Sequence, residues 1–355
     1  MVILLTSNKI RSVKTKVENL QPGMKVAKDI ENDSNGIFIT AQTILKEEYI
    51  SRINDLNYEF IYIIIEKEEN YERNIENKER IDKTYKENTD KVKNLFNKVK
   101  RDKKLEYTEI KDLVVEANKL SNDMEILDLL NMVRTVDEYT YSHSLNVSIL
   151  ANMFSNWLDF DDRNRIMITL SGLLHDIGKA RVPDKILNKP DTLTPEEFKE
   201  MKKHTIYGYE MIQNINEIPG EVKKAVISHH EHFNGEGYPF QFKSNKIPLF
   251  GRIIAIVDSF DAITANRVYK SKSSPFRAIE IFVQEEVTHF DPGLKEVFLD
   301  HIPNYFIREN VILNDGRMAE IVYINPFKPE SPIVKIFDQY VDLAKESSLK
   351  IKELF

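Results

Sequence analysis

The hydrophobic pattern divides the chain into a short mixed segment, a charged stretch, a long helical region and a β-rich end. Residues 17–65 predict a small mixed module, because Pro22-Gly23 marks a turn, residues 46–56 have a helical composition, and the β-rich run 60–65 is typical of a buried strand. Residues 66–104 are dominated by charged and amide side chains, which favours a solvent-exposed helix or linker.

From residue 113 the apolar positions follow a helical period. They recur in steps of three and four, which predicts one amphipathic helix over 113–130. We expect its apolar face to pack inside the chain, with pairing to a second copy as a coiled coil, and hence a homodimer, as the alternative. Residues 131–303 are predicted to be mostly helical, with a strong helix start at Thr194-Pro195-Glu196-Glu197. The apolar positions of the 113–130 helix are Leu113, Ala117, Leu120, Met124, Leu127 and Leu130.

After Pro303 the pattern changes to strands. Asn314-Asp315-Gly316 lies between two β-rich runs, 310–313 and 318–324, and predicts a hairpin. The fold class is therefore predicted to be mainly α. We expect a helical domain over 111–303, preceded by a small mixed α/β module over 1–66 and a charged helical linker over 67–110. A small β-rich appendage would follow over 304–355.

Composition narrows the possible functions. The formal net charge of −7 does not favour binding to a nucleic-acid polymer. The absence of cysteine excludes disulfides and thiolate metal sites. Since no run of 18 apolar residues occurs, the sequence predicts no membrane span, and we expect a cytoplasmic location.

Five histidines and two aspartates in the middle of the chain predict one metal site. The gaps between successive ligand positions or adjacent pairs are about one helix plus a turn long. Helices of that length packed around one axis would bring the ligands into one cavity. Imidazole and carboxylate suit Fe, Mn or Zn. Seven ligands are too many for one ion, so we expect two ions that share a carboxylate, a recurrent arrangement in phosphoester hydrolysis. The candidate ligands are His143, His175, Asp176, His204, His229, His230 and Asp258.

Four short stretches carry a family resemblance. They are His143-Ser144-Leu145-Asn146-Val147, His175-Asp176-Ile177-Gly178-Lys179, the string from His229 to Pro239, and Asp258-Ser259-Phe260-Asp261 continuing to Arg267-Val268-Tyr269. With them, residues 131–303, about half of the chain, resemble the HD-GYP family of bacterial cyclic dinucleotide phosphodiesterases within the HD superfamily. Residues 17–65 also resemble the short module often found ahead of such domains.

The resemblance implies how the ligands divide between two ions, which in this family are usually iron or manganese. His143, His175, Asp176 and Asp258 would hold one ion. His204, His229 and His230 would hold the second, with Asp176 bridging. Some members hold a third ion through a glutamate four residues before the first histidine. Here Tyr139 occupies that position, so a third ion is not favoured, although the adjacent Glu138 keeps it possible.

The resemblance also implies an activity, the hydrolysis of cyclic di-GMP to pGpG or GMP. A water or hydroxide bridging two metals would supply the nucleophile, and the ions would clamp the phosphoryl oxygens. Asp176 and Lys179 are the predicted catalytic residues. The predicted substrate contacts are Lys179, Tyr238, Asp261 and Arg267, and the arginine fork matches phosphate geometry.

Departures from the family pattern keep other functions open. Asn234 and Val268 stand where the family usually has Asp and Pro, and Asn keeps the hydrogen bonding of Asp without its charge. One alternative is another cyclic dinucleotide, such as cyclic GMP-AMP, as substrate. The other, suggested by the half of the chain that lies outside the resemblance, is a catalytically weak signalling adaptor that binds a cyclic dinucleotide. Three further histidines, at 232, 289 and 301, match no ligand position, and we expect structural or surface roles for them.

Overall fold

The computed structural model describes residues 10–17, 20–31, 37–41, 43–56, 58, 60–66, 68–101, 103–132, 139–265, 274–284, 289–337 and 339–354. The chain divides into two compact units, Met1–Arg80 and Ile81–Phe355.

The first unit is a small mixed α/β fold, as the sequence predicts. Strand β5 lies between β1 and β2 in an antiparallel sheet, and β3 pairs with β4. Side chains along strand β5 alternate between buried and exposed, since Ile61 and Ile63 are buried and Tyr62 is 38% exposed. Only one face of the strand is therefore covered. The elements are β1 (Ile10–Lys16), β2 (Lys25–Val26), β3 (Ile30–Glu31), β4 (Ile37–Ile39), α1 (Glu47–Asp55) and β5 (Phe60–Glu66).

A long helix, α2 (Glu68–Lys100), occupies most of the predicted linker. The expectation of a solvent-exposed spacer is wrong for the second half of this helix. Its apolar side chains recur at helical spacing and are buried in the core of the second unit, while charged side chains cover the other face. The buried positions are Ile81, Tyr85, Val92, Leu95, Phe96 and Val99.

The predicted helix over 113–130 is two helices, α3 (Tyr107–Asp123) and α4 (Ile126–Asn131). The helical path breaks at Met124, whose backbone is extended. Glu125 then starts α4 through a reciprocal capping box with Asp128. The apolar positions Leu113, Ala117 and Leu120 are buried in the core of their own chain, as the intramolecular interpretation requires.

The centre of the second unit is helical. Helices α5, α6 and α11 pack against one another, and α10 packs against α6, α9 and α11. The predicted helix start at Thr194 is confirmed as a capping box with Glu197. The helices are α5 (Tyr139–Trp157), α6 (Asp162–Leu174), α7 (Asp184–Leu187), α8 (Pro195–Lys202), α9 (His204–Ile212), α10 (Gly220–Ser228), α11 (Leu249–Thr264), α12 (Pro275–Gln284) and α13 (Pro292–His301), with 3-10 helices at Ile177–Arg181, Ser244–Lys246 and Ile302–Phe306. None of the helices that the structure describes is long and apolar enough to cross a membrane.

An antiparallel sheet follows the helices, in the order β10-β6-β7-β8-β9. The predicted hairpin is confirmed, since Val311 pairs with Ala319 and Gly316 takes a φ of +88° in the turn. Buried side chains of the sheet, including Val311, Ile321 and Val334, belong to the same hydrophobic core as the helices. The strands are β6 (Asn310–Leu313), β7 (Met318–Tyr323), β8 (Ile333–Ile336), β9 (Gln339–Asp342) and β10 (Ile351–Leu354).

Candidate metal centre

Five structural elements bring the seven candidate ligands together. The apolar residues that flank the adjacent pair His175 and Asp176 predict a buried helix that ends at Gly178. The structure differs, because α6 ends at Leu174 and the pair forms the turn that leads into a 3-10 helix. The ligands lie on α5 (His143), after α6 (His175, Asp176), at the first residue of α9 (His204), directly after α10 (His229, His230) and on α11 (Asp258).

The candidate ligands form two adjacent groups. Within each group, one nitrogen or oxygen atom from every member lies within 4.8 Å of the others. Most members are almost completely buried, and Asp258 and His230 lie nearest to solvent. One group consists of His143, His175 and Asp258, and the other of Asp176, His204, His229 and His230.

Asp176 lies between the two groups. Its Oδ2 is 3.2 Å from Nε2 of His175 and 3.7 Å from Nε2 of His143. Its Oδ1 is 3.4 Å from Nε2 of His204 and 4.0 Å from Nε2 of His229. Each carboxylate oxygen therefore faces a different group, which is the geometry that a bridging carboxylate requires.

Backbone carbonyls set the orientation of three of the imidazoles. His175, His204 and His229 each place Nδ1 at 2.7 to 2.8 Å from the carbonyl oxygen of the residue three positions earlier. A carbonyl oxygen only accepts, so Nδ1 must carry the hydrogen and donate it. In the neutral ring, Nε2 then presents its lone pair to the site, as in histidines that ligate metals.

The lone pairs in this site face one another. Nε2 of His204 lies 3.3 Å from Nε2 of His229. Burial lowers the pKa of His204 to about 4 and holds the pKa of His229 well below its ordinary value. Both rings are therefore neutral near pH 7, and neither has a hydrogen to place between the two nitrogens.

Two further buried acceptors lack a partner among the described residues, namely Nε2 of His175 and Oδ1 of Asp176. Buried polar atoms are almost always paired. A cluster of inward-facing acceptors without donors is stabilised by a cation, and nitrogen and carboxylate donors suit a divalent transition metal. The residues present therefore fit a pair of metal ions.

His143 has a different environment from the other histidines. Its Nε2 lies 2.9 Å from Oδ1 of Asp258, and its Nδ1 donates to Oδ2 of Asp261 at 2.8 Å. Burial alone would lower the pKa of His143, but the bonds to Asp258 and Asp261 outweigh burial and raise it well above the ordinary value. The field at this position favours positive charge, and a metal ion would meet the same field.

Asp261 was predicted to contact substrate, and the structure places it elsewhere. Its side chain is fully buried behind His143. Oδ2 accepts from His143 and Oδ1 accepts from Nδ2 of Asn146 at 2.9 Å. With both oxygens bonded, Asp261 orients His143. Asn146 was not predicted from the sequence, although its position three residues after His143 on a helix puts both on one face.

Lys179 and Tyr238, two other predicted functional residues, lie beside the ligands. Nζ of Lys179 is 2.5 Å from Oδ2 of Asp176. Burial would lower the pKa of Lys179, but the charge of Asp176 raises it, so the ammonium group keeps its charge. The Tyr238 ring stacks on His230 with 4.7 Å between ring centroids. Nζ of Lys202, a residue not predicted from the sequence, lies 5.4 Å from the centroid of the Tyr238 ring.

The other residues selected from the sequence comprise three that the structure does not describe and four that it does. Arg267, Val268 and Glu138 lie outside the described residues. His232 packs against His289 with 4.3 Å between ring centroids, and His301 stacks on Trp157. These three histidines belong to neither ligand group. Asn234 shapes its own loop, because its Oδ1 accepts from the backbone N–H of Glu236 at 3.0 Å.

We expect the metal-free protein to lose stability as the pH falls from about 7 towards 4. Burial lowers the pKa of His204 to about 4 and of His230 to about 3, whereas a histidine in the unfolded chain titrates near ~6.5. Below that pH the unfolded chain binds protons that the folded chain excludes, so the free energy of unfolding decreases. His204 alone would contribute on the order of 3 kcal/mol by pH 4. His143 has the opposite sign, because its raised pKa gives stability that is complete below ~6.5 and is lost at higher pH.

Urea unfolding of chelator-treated protein across this pH range measures the effect. His204→Gln should flatten the dependence, and His301→Gln, which changes a histidine outside both groups, should leave it unchanged. A free energy of unfolding that stays constant from about pH 7 to about pH 5 would contradict the prediction.

Comparison with known proteins identifies the family. The HD domain family matches residues 115–294. The chain belongs to the HD domain family. An HDG"Y"P protein from Bdellovibrio bacteriovorus has a similar fold, with a TM-score of 0.51 and 18% identity over 81% of this chain and 97% of that protein. The family match agrees with the HD superfamily to which the sequence resemblance points, and the structural match agrees with a mainly helical fold.

Three curated relatives are similar over part of their length. A cyclic di-GMP phosphodiesterase of Pseudomonas aeruginosa is 33% identical over 69% of this chain and 59% of the relative. A cyclic di-GMP phosphodiesterase of Thermotoga maritima is 35% identical over 54% of this chain and 50% of the relative. A 3'3'-cGAMP-specific phosphodiesterase of Vibrio cholerae is 32% identical over 54% of this chain and 36% of the relative. The chain therefore spans between about a third and three fifths of these relatives.

Proposed function

We propose that this chain is a metal-dependent phosphodiesterase that hydrolyses cyclic di-GMP to pGpG or GMP. The observation that carries the proposal is the pair of buried ligand groups with one carboxylate oxygen of Asp176 facing each. The names of the relatives support a cyclic dinucleotide as the substrate class.

The proposed ligands divide between two ions according to the two spatial groups. His143, His175 and Asp258 would hold one ion, and His204, His229 and His230 the other, with Asp176 bridging. When bound, the ions supply Lewis acids for the phosphoryl oxygens and lower the pKa of a water nucleophile. We propose iron or manganese, which the family resemblance implies and which both accept a mixed imidazole and carboxylate ligand set, and we do not propose a third ion.

The protein's own residues would bind and orient the substrate. Lys179 offers an ammonium group beside Asp176 and is partly exposed, so it attracts a phosphate that approaches the site. Tyr238 and Lys202 form one wall of the site next to His230, with an aromatic face and a second positive charge. Asp261 keeps the His143 ring in position from behind.

Replacing Lys179 by methionine is expected to lower kcat/KM for cyclic di-GMP by about 100-fold while both metal ions remain bound. Methionine keeps the length and removes the charge that would neutralise phosphate. Steady-state hydrolysis and metal analysis of the purified variant measure the two quantities. Lys185→Met, which removes an exposed lysine of α7, is the matched control. Full activity in Lys179→Met would contradict the role.

The decisive experiment separates the products formed from cyclic di-GMP by Fe(II)- or Mn(II)-loaded protein that was purified anaerobically. A linear product, absent when the metal is removed, is expected, and its length distinguishes one cleaved bond from two. No product at full metal occupancy would overturn the proposal.

A second candidate substrate is 3'3'-cyclic GMP-AMP. It is favoured by the similarity to the Vibrio cholerae enzyme named for this substrate. The two cyclic dinucleotides should be compared at equal concentration, and the higher kcat/KM identifies the substrate. Tight binding of either without hydrolysis would instead indicate an adaptor. Self-association stays a prediction, and the apolar stripe that suggested it is buried within the chain.

A further inference from the structure

We propose that Tyr85 on α2 is a positioning residue for the metal ligand His143, and that it acts through Asn146 and Asp261. This inference rests on the proposed metal-dependent function. It adds to that function a link between the candidate metal centre and a helix that supplies no ligand to either group.

A continuous chain of hydrogen bonds joins Tyr85 to His143. The hydroxyl of Tyr85 donates to Oδ1 of Asn146 at 2.6 Å. Nδ2 of Asn146 donates to Oδ1 of Asp261 at 2.9 Å. Oδ2 of Asp261 accepts from Nδ1 of His143 at 2.8 Å, and Nε2 of the same ring faces the site.

The donor and the acceptor in each of these hydrogen bonds follow from the chemistry of the groups. The Asp261 carboxylate only accepts, so Asn146 must present its NH₂ group to Asp261. The carbonyl of Asn146 then points the other way and needs a donor, which the Tyr85 hydroxyl supplies. Tyr85 therefore fixes the orientation of the Asn146 amide, and the amide holds Asp261 against His143.

Because its residues are buried, this series of hydrogen bonds is sensitive to the loss of the Tyr85 hydroxyl. Tyr85 is 5% exposed, and Asn146 and Asp261 are fully buried. Without the hydroxyl, the buried carbonyl of Asn146 loses this donor, in a place where bulk water does not reach it. The Asn146 amide is then no longer held in one orientation, and a rotated amide would no longer donate to Asp261.

The position of Tyr85 would let a movement of α2 affect the metal centre through these hydrogen bonds. Helix α2 begins at Glu68, and the boundary between the two compact units falls inside it, five residues before Tyr85. A shift of α2 that moves the Tyr85 hydroxyl away from Asn146 would loosen His143. Changes at the start of this helix would thereby reach one half of the metal centre and leave the other half unchanged.

Metal titration of the Tyr85→Phe variant tests the inference. The metal-free full-length protein is titrated with Mn(II) in competition with a chromophoric chelator, which gives the number of ions and the affinity for each. The wild type should bind two ions. In Tyr85→Phe, we expect the ion of the His143 group to bind about 10-fold more weakly, in the range known for residues that orient metal ligands, and the other ion to bind as before.

Two further variants separate positioning from packing. Thr89→Val removes another buried hydroxyl of α2, one that donates to the backbone carbonyl of Tyr85, and should leave both affinities unchanged. Asn146→Leu removes the middle of the chain at similar volume and should weaken the same ion as Tyr85→Phe.

Several results would overturn the inference. Tyr85→Phe with two ions bound as tightly as in the wild type would remove the positioning role and leave the proposed function intact. Equal weakening of both ions, together with reduced stability, would indicate a packing role only. A wild type that binds no metal would overturn this inference and the metal-dependent function together.

Discussion

Replacing Asp176 by asparagine is expected to reduce the hydrolysis of cyclic di-GMP by about 1,000-fold, which corresponds to about 4 kcal/mol of transition-state stabilisation. Asparagine keeps the shape of the side chain, but it removes the charge and replaces one oxygen by an NH₂ group. That group would point a hydrogen-bond donor at the nitrogen lone pairs of His175 or of His204, which face the two carboxylate oxygens. The variant should also lose at least one bound ion.

The measurement combines product chromatography with metal analysis on the same protein sample. Asp162→Asn is the matched control, because the Asp162 side chain is 97% exposed at the start of α6. The control should keep its activity and both ions. If Asp176→Asn retained activity within about 10-fold of the wild type, the bridging role of Asp176 would be wrong.

Replacing Gly178 by alanine is expected to lower the free energy of unfolding by about 3 kcal/mol, the upper end for overpacking. A Cβ atom at this position would overlap the carbonyl oxygen of His204 and the backbone nitrogen of Gly208. Both are backbone atoms of α9, so no side-chain rotation can relieve the overlap. Helix α9 would have to move, and it carries His204 at its first residue.

Chemical unfolding of the metal-free protein measures the stability, and metal titration measures the site. We expect the group around His204 to lose affinity more than the group around His143. Gly220→Ala is the control, since a Cβ atom there meets nothing within 4 Å and alanine favours the helix α10. A Gly178→Ala variant as stable as the wild type would show that α9 can shift without cost.

Local patterns carried much of the architecture. The helix over 46–56, the strand over 60–65, the capping box at Thr194 and the hairpin around Gly316 all follow from side chains within a few residues of each element. The seven candidate ligands were also visible, because their residue types and spacing are unusual outside a metal site. Their meeting in one cavity followed from helices of that repeat length packing together, whereas their division between two ions came from the family resemblance.

Other features could not be predicted because they depend on distant residues. Helix α2 has the composition of a solvated spacer, and only the burial of its second half within the second unit shows that this half belongs to the core. The break at Met124 interrupts a regular apolar period, so periodicity alone predicts one helix. An aspartate at position 261 suits either a substrate contact or a hydrogen bond to His143, and the sequence does not distinguish these roles. The complete burial of Asp261 decides for the bond to His143.

The sequence by itself determined the fold class, the family and the candidate ligand set, because these depend on residue types and on their spacing along the chain. Only the tertiary structure decided which oxygen of Asp176 faces which group, that Asp261 lies buried behind His143, and that Tyr85 reaches His143 through Asn146. These features depend on atoms brought together from far along the chain, such as those of Tyr85 and Asn146, which are 61 positions apart in the sequence. No local pattern records them.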